Sequence, residues 1–164
     1  MPIQEGQQAA DFTLSFEDSG EFRLASLAPD QLAVLAFFKA SCPTCQMTFP
    51  YLDRVYRSGN SSNRILFAGI SQDDAAEAAE FRRDFPFTFP VLIDPEPYKV
   101  SSRYAVDFVP TIYVIAPGGT VQQTIEGFSK HGLQELAKHL ARHASRPPLE
   151  VFRPDEAVPV HRPG

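Results

Sequence analysis

No stretch of the 164-residue chain is long and apolar enough to span a bilayer. Basic residues are in the minority: 15 Lys and Arg stand against 20 Asp and Glu, giving a formal net charge of −5 and a pI near 5.3. That balance argues against a nucleic-acid-binding surface. Cysteine is scarce, with only Cys42 and Cys45, and no second C-x-x-C or closely spaced Cys/His pair accompanies them. Structural zinc wants four ligands, so no metal site is expected, and nothing in the chain calls for another cofactor. The start, Met1-Pro2-Ile3-Gln4-Glu5, has neither the basic nor the apolar region of a secretory signal. The expectation is therefore a cytoplasmic protein with no membrane partner. No internal repeat appears.

What the chain does have is Ser41-Cys42-Pro43-Thr44-Cys45, directly after the apolar run Leu32–Phe38. The residues behind it, Gln46–Tyr56, read as a helix. Cys42 then lies where unpaired N–H groups and the positive end of the helix dipole favour a thiolate. Pro43 suits the first helical turn, since it has no N–H to lose and its φ is already helical. Cys45 is one turn on and can close a disulfide with Cys42. A structural disulfide is the weaker reading, because so tight a loop constrains few residues. An activated thiol with its own resolving thiol can accept or donate two electrons.

The length fits one domain, and 43% hydrophobic residues supply its core. Asp11–Phe16 and Glu21–Leu24 alternate about a turn at 17–20 and predict a hairpin. Leu32–Lys39 predicts a strand buried on both faces, its Phe37-Phe38 pair beneath the cysteines. Pro50 interrupts the helix after it, which should end in the cluster 58–62. Ile65–Ile70 predicts a strand and Asp74–Asp84 a helix capped by Ser71 or Asp73. Phe89–Ile93 predicts a short strand and Tyr98–Tyr104 a short helix. Ile112–Ile115 and Val121–Glu126 predict a second hairpin, closed by Gly127-Phe128, and Lys130–His143 a last helix. Residues 1–145 thus form the expected domain. Residues 146–164, rich in proline, are expected to be an extended C-terminal tail.

This order resembles the redoxin branch of the thioredoxin fold: the TlpA/ResA-like thiol–disulfide oxidoreductases and their AhpC/TSA-type peroxiredoxin cousins. The resemblance rests on Ala10–Leu14, on Phe37–Cys45, on Pro50, on Val109-Pro110-Thr111 and on the inserted strand and helix of 84–107. It implies an α/β fold: a three-layer αβα sandwich with a mixed central sheet, an N-terminal β-hairpin and an inserted strand–helix. It also implies that Cys42 is the nucleophile and Cys45 the buried resolving thiol. Val109 and a cis Pro110 would face the pair and, with Pro43 and Thr44, bind an extended substrate strand. The implied partners are protein dithiols or disulfides and a reducing or oxidising redox protein, met by a monomer.

Departures from the resemblance bear on the chemistry. Ser41 stands where plain thioredoxins have tryptophan, a residue this chain lacks. Ala36 and Thr48 occupy the two places where relatives keep an acid near the second thiol. Lys39 is a candidate aid to the thiolate and Thr48 a candidate proton relay. The alternative is a thiol peroxidase, with Cys42 peroxidatic and Cys45 resolving. Lys39 disfavours it, because peroxidases of this kind carry Thr or Ser there. A Sco-type metal carrier needs wider cysteine spacing and a loop histidine, whereas His131, His139 and His143 fall in or near the last helix.

Overall fold

The computed structural model describes residues 1–59 and 63–164. The last three residues of the expected 58–62 loop lie outside the described residues, while Gly59 still ends the first helix. The centre of the molecule is β3 (Leu32–Phe38), all seven residues of which are buried. It pairs parallel with β4 (Ile65–Ser71) and antiparallel with β6 (Thr111–Ile115). Outward lie β5 (Val91–Ile93) and the hairpin of β1 (Thr13–Phe16) and β2 (Glu21–Arg23) on one side, and β7 (Val121–Glu126) on the other. The seven-stranded order is β2-β1-β5-β4-β3-β6-β7. A strand with neighbours on both edges and packed residues on both faces has no wet side, which explains its lack of polar alternation.

Alternate residues of β3 serve different layers. Leu32, Val34, Ala36 and Phe38 join the core beneath α1 (Pro43–Gly59), α2 (Ala75–Asp84) and α4 (Lys130–His143). Ala33, Leu35 and Phe37 join the opposite core with Phe12, Val100 of α3 (Lys99–Arg103) and Tyr104. The fold is the thioredoxin-like α/β sandwich, with β5 and α3 as its insertion. The expectation that both phenylalanines pack under the cysteines is corrected: only Phe38 does, because a strand turns successive side chains to opposite faces. Phe38 fits because β4 passes it with Gly69, where a β-carbon would come 2.9 Å from its ring.

Three local expectations also change. Asp74, neither Ser71 nor Asp73, caps α2: its backbone is extended and its carboxylate accepts from Glu77 N–H at 2.8 Å. Strand β5 begins at Val91, since Pro90 has no N–H for the ladder. Gly127-Phe128 does not merely close the second hairpin. Phe128–Ser129 form a two-residue strand, β8, that pairs antiparallel with β9 (His161–Arg162) in the C-terminal segment.

That segment, 146–164, lies along α1 and α4. Val151 is buried in the main core, and Phe152 packs on Tyr51 and Phe128 at ring separations of 5.0 and 5.9 Å. The Gln134 side chain bonds Leu149 carbonyl and Val151 N–H. Glu156 takes both guanidinium nitrogens of Arg54, at 2.6 and 2.7 Å. No helix among the described residues is long and apolar enough to cross a membrane.

Candidate active site

Strand β3 delivers the chain to the sheet's edge, and Ala40 and Ser41 turn it into α1. Cys42 occupies the N-cap position. Its carbonyl accepts the first helical bond, from Gln46 N–H at 3.0 Å. Its Sγ lies 3.2 Å from the Cys45 N–H, as a capping serine oxygen would lie. Pro43 follows, exposed, in the first turn, and Pro50 removes one bond from the ladder further on. Cys42 is partly exposed; Cys45, one turn later, is buried among Phe38, Phe49 and their neighbours. Neither thiol is in a disulfide.

These surroundings drive the two thiols apart. The hydrogen bond from the Cys45 thiol lowers the Cys42 pKa most. Burial opposes it, the N–H groups of Cys45 and Thr44 and the charge of Arg162 reinforce it, and the outcome is about 6. Burial pushes the Cys45 thiol far above its ordinary value. The bond it gives to Cys42 and the charges of Cys42 and Asp73 act in the same direction. At neutral pH, Cys42 is therefore a thiolate and Cys45 a thiol.

Opposite the pair stands the loop before β6. The Val109–Pro110 peptide is cis, and when protonated Cys42 donates to the Val109 carbonyl at 3.3 Å. Phe108, next to it, is 70% exposed and gives the rim an apolar face. The structure thus brings Cys42, Cys45, Pro43, Thr44, Val109 and Pro110 to one end of α1. Thr44 is buried, and its hydroxyl donates to the Pro163 carbonyl at 2.8 Å. Lys39 is exposed on the rim; its backbone bonds the Cys45 sulfur. The Thr48 hydroxyl donates to the Thr44 carbonyl at 2.7 Å, which commits its proton to the helix.

Two charged residues at the site escape the sequence reading. Asp73 leaves capping to Asp74 and accepts from Ala40 N–H at 2.7 Å, so a carboxylate stands near Cys45 although Ala36 and Thr48 supply none. The acidic run at 73–74 is a signal, but it says equally well that either residue caps the helix. Arg162 comes from the tail, and no local pattern could carry it to Cys42. Among the described residues, no cluster of three His, Cys, Asp or Glu is placed to hold a metal ion.

A thioredoxin fold with a partly exposed, acidified cysteine at a helix start and a buried thiol one turn on defines a thiol–disulfide oxidoreductase. Residues 5–124 match the AhpC/TSA family, and the chain belongs to it. Within that family it is a ResA-like redoxin. It is 28% identical over 122 residues to the thioredoxin-like protein YneN of Bacillus subtilis, covering 73% of this chain and 70% of that one. Over 138 residues it is 28% identical to the thiol–disulfide oxidoreductase ResA of Geobacillus thermodenitrificans, covering 84% and 77%. Among solved structures, a secreted disulfide oxidoreductase of Mycobacterium tuberculosis superposes with a TM-score of 0.64 at 25% identity, covering 80% and 95%. That secreted relative corrects the cytoplasmic expectation: the similarity points away from the cytoplasm, to compartments where disulfides persist.

Proposed function

We propose that the protein exchanges two electrons with disulfides in extended protein segments, through Cys42 and then Cys45. The Cys42 thiolate attacks one sulfur of the substrate disulfide. A Cys42–substrate bond forms, the substrate S–S bond breaks, and the leaving thiolate takes up a proton. Cys45 then gives up its proton and attacks Cys42 sulfur, closing the Cys42–Cys45 disulfide and releasing the second substrate thiol. The substrate gains two electrons and two protons, and a redox partner protein returns the pair to its starting state.

The other site residues take their parts around this exchange. Val109 and Pro110, with Pro43, Thr44 and the exposed Phe108, flank the strand of substrate. Asp73, the carboxylate whose charge reaches Cys45, accepts its proton in the second step. The thioredoxin-like body of residues 1–145 carries the exchange as a monomer, and 146–164 is an appended tail.

The observation that carries this reading is the contrast between Cys42 and Cys45 in the same helical turn. The peroxidase alternative has less support, since exposed Lys39 stands where a peroxide-holding hydroxyl is needed. The test is trapping of the reduced variants with a disulfide-bonded protein substrate such as insulin. Cys45→Ser should accumulate a mixed disulfide on Cys42, and Cys42→Ser should abolish exchange. Alkylation of the reduced protein that labels Cys45 before Cys42 would reverse the assignment.

A further inference from the structure

We propose that residues 160–164 occupy the extended-peptide site beside the dithiol as an intramolecular stand-in for substrate, which an incoming strand must displace. This rests on the exchange reading above and deepens it, because it says what fills the substrate groove at rest.

The segment is held as a bound peptide is held. His161 and Arg162 pair antiparallel with β8, and the Val160 carbonyl accepts from Lys130 N–H at 3.0 Å. Past β9, the Pro163 carbonyl accepts the Thr44 hydroxyl at 2.8 Å. Thr44 is 4% exposed and sits between the two cysteines, so this bond brings the tail onto the motif itself.

Gly164 then lies against Val109, the residue whose carbonyl faces Cys42. A β-carbon on Gly164 would run into that carbonyl oxygen, and its direction also meets Val109 N at 3.2 Å. Across the groove Gly127, at φ +66°, makes room in the same way for the Arg162 carbonyl and the Gly164 N–H. Glycines thus stand on both sides of one backbone-to-backbone approach, which is how a site that reads main chain is built.

The occupant defines the partner. The groove takes an extended, side-chain-poor strand running antiparallel to β8, with a small residue opposite Val109. Folded disulfides whose flanking chain cannot straighten would be poor substrates. Only the fraction of molecules with the tail released is competent for a peptide, so release should raise apparent affinity by the inverse of that fraction. A small disulfide that needs no groove should be much less affected.

Gly164→Val is the variant to use, since it expels the tail by a clash at the surface and replaces no core or site side chain, although it also withdraws the exposed Arg162 charge, a small influence, from Cys42. The probes are a linear peptide carrying its one cysteine as the mixed disulfide with thionitrobenzoate, and Ellman's free disulfide as the small control. The variant should react with the peptide roughly ten-fold faster than the wild type, as expected if about one molecule in ten has the tail released. It should react with Ellman's disulfide at nearly the wild-type rate, as loss of the exposed Arg162 charge is a small effect, and the Arg162 amide should lose protection from hydrogen exchange. Equal peptide rates with the amide deprotected would overturn the proposal, and so would an amide that stays protected, which would show that Val109 does not hold Gly164. Failure of both proteins to react with either probe would instead overturn the exchange reading itself.

Discussion

Cys42 and Cys45 carry the same side chain, three positions apart on the same helix, yet their surroundings prepare them for opposite tasks. Cys42 faces a helix start with N–H groups, a distant arginine and partial access to water. Cys45 faces Phe38, Phe49 and a carboxylate. Position along one turn does most of the sorting. One thiol is ready to attack at neutral pH, while the other is held in reserve until a proton acceptor is found.

The contrast is tested most strongly by alkylation of the reduced protein. Iodoacetamide should label Cys42 almost exclusively, with a rate that rises through pH about 6 and levels off well before the ordinary thiol value of 9.0. The same shift has a stability counterpart. Because the folded value lies below the unfolded one, the thiolate stabilises the reduced protein fully above pH 9.0, and this is lost as pH falls through about 6. The melting-temperature difference between reduced wild type and Cys42→Ser should shrink over that interval. A flat difference would contradict the lowered pKa.

The next effect concerns what keeps Cys45 dry. Phe49 lies within 4.6–5.4 Å of four other phenylalanine rings, those of Phe38, Phe81, Phe87 and Phe89. Phe49→Ala should cost about 3–5 kcal/mol in denaturant unfolding and make Cys45 alkylatable in the native state. Asp73→Asn keeps an acceptor for Ala40 N–H but removes the charge. It should leave formation of the mixed disulfide unchanged and slow its resolution on the order of ten- to a hundred-fold near neutral pH, at or below the usual range for a general base. Stopped-flow separation of the two steps measures this, and equal slowing of both would make Asp73 a structural residue. The smallest effect belongs to Arg162→Gln, which should move the Cys42 alkylation profile slightly upward, as added salt should in the wild type, because an exposed charge is screened.

How much of this was legible depends on how far apart in sequence the causes lie. The strand Leu32–Phe38, the start of α1 at Pro43 and the span of α4 are written in local periodicity and capping. The two thiols are written in their spacing. Phe37 faces away from the cysteines, and a run apolar at every position does not say which face each residue takes. Asp73 and Asp74 are equivalent as strings, and only the path of the chain past Ala40 separates them. The tail has no period to read. Val151, Phe152 and Glu156 find their partners on α1, α4 and β8, from 17 residues away for Val151 and Gln134 to 102 for Glu156 and Arg54.

That last contact fixes more than a loop. The Arg54–Glu156 pair, partly shielded at 32% and 19% exposure, anchors the chain five residues before His161. A segment so closely tethered re-finds its groove as though it were present at an effective concentration on the order of millimolar. If the tail fills the groove as proposed, protein clients in free solution would seldom reach that level, and ordinary collisions would lose the competition. The clients that won would be those delivered in bulk, presented in tandem or unfolded enough to grip Phe108 before the groove opened. The ion pair would then set a threshold on which disulfides are noticed, from the far side of the helix that holds the thiols.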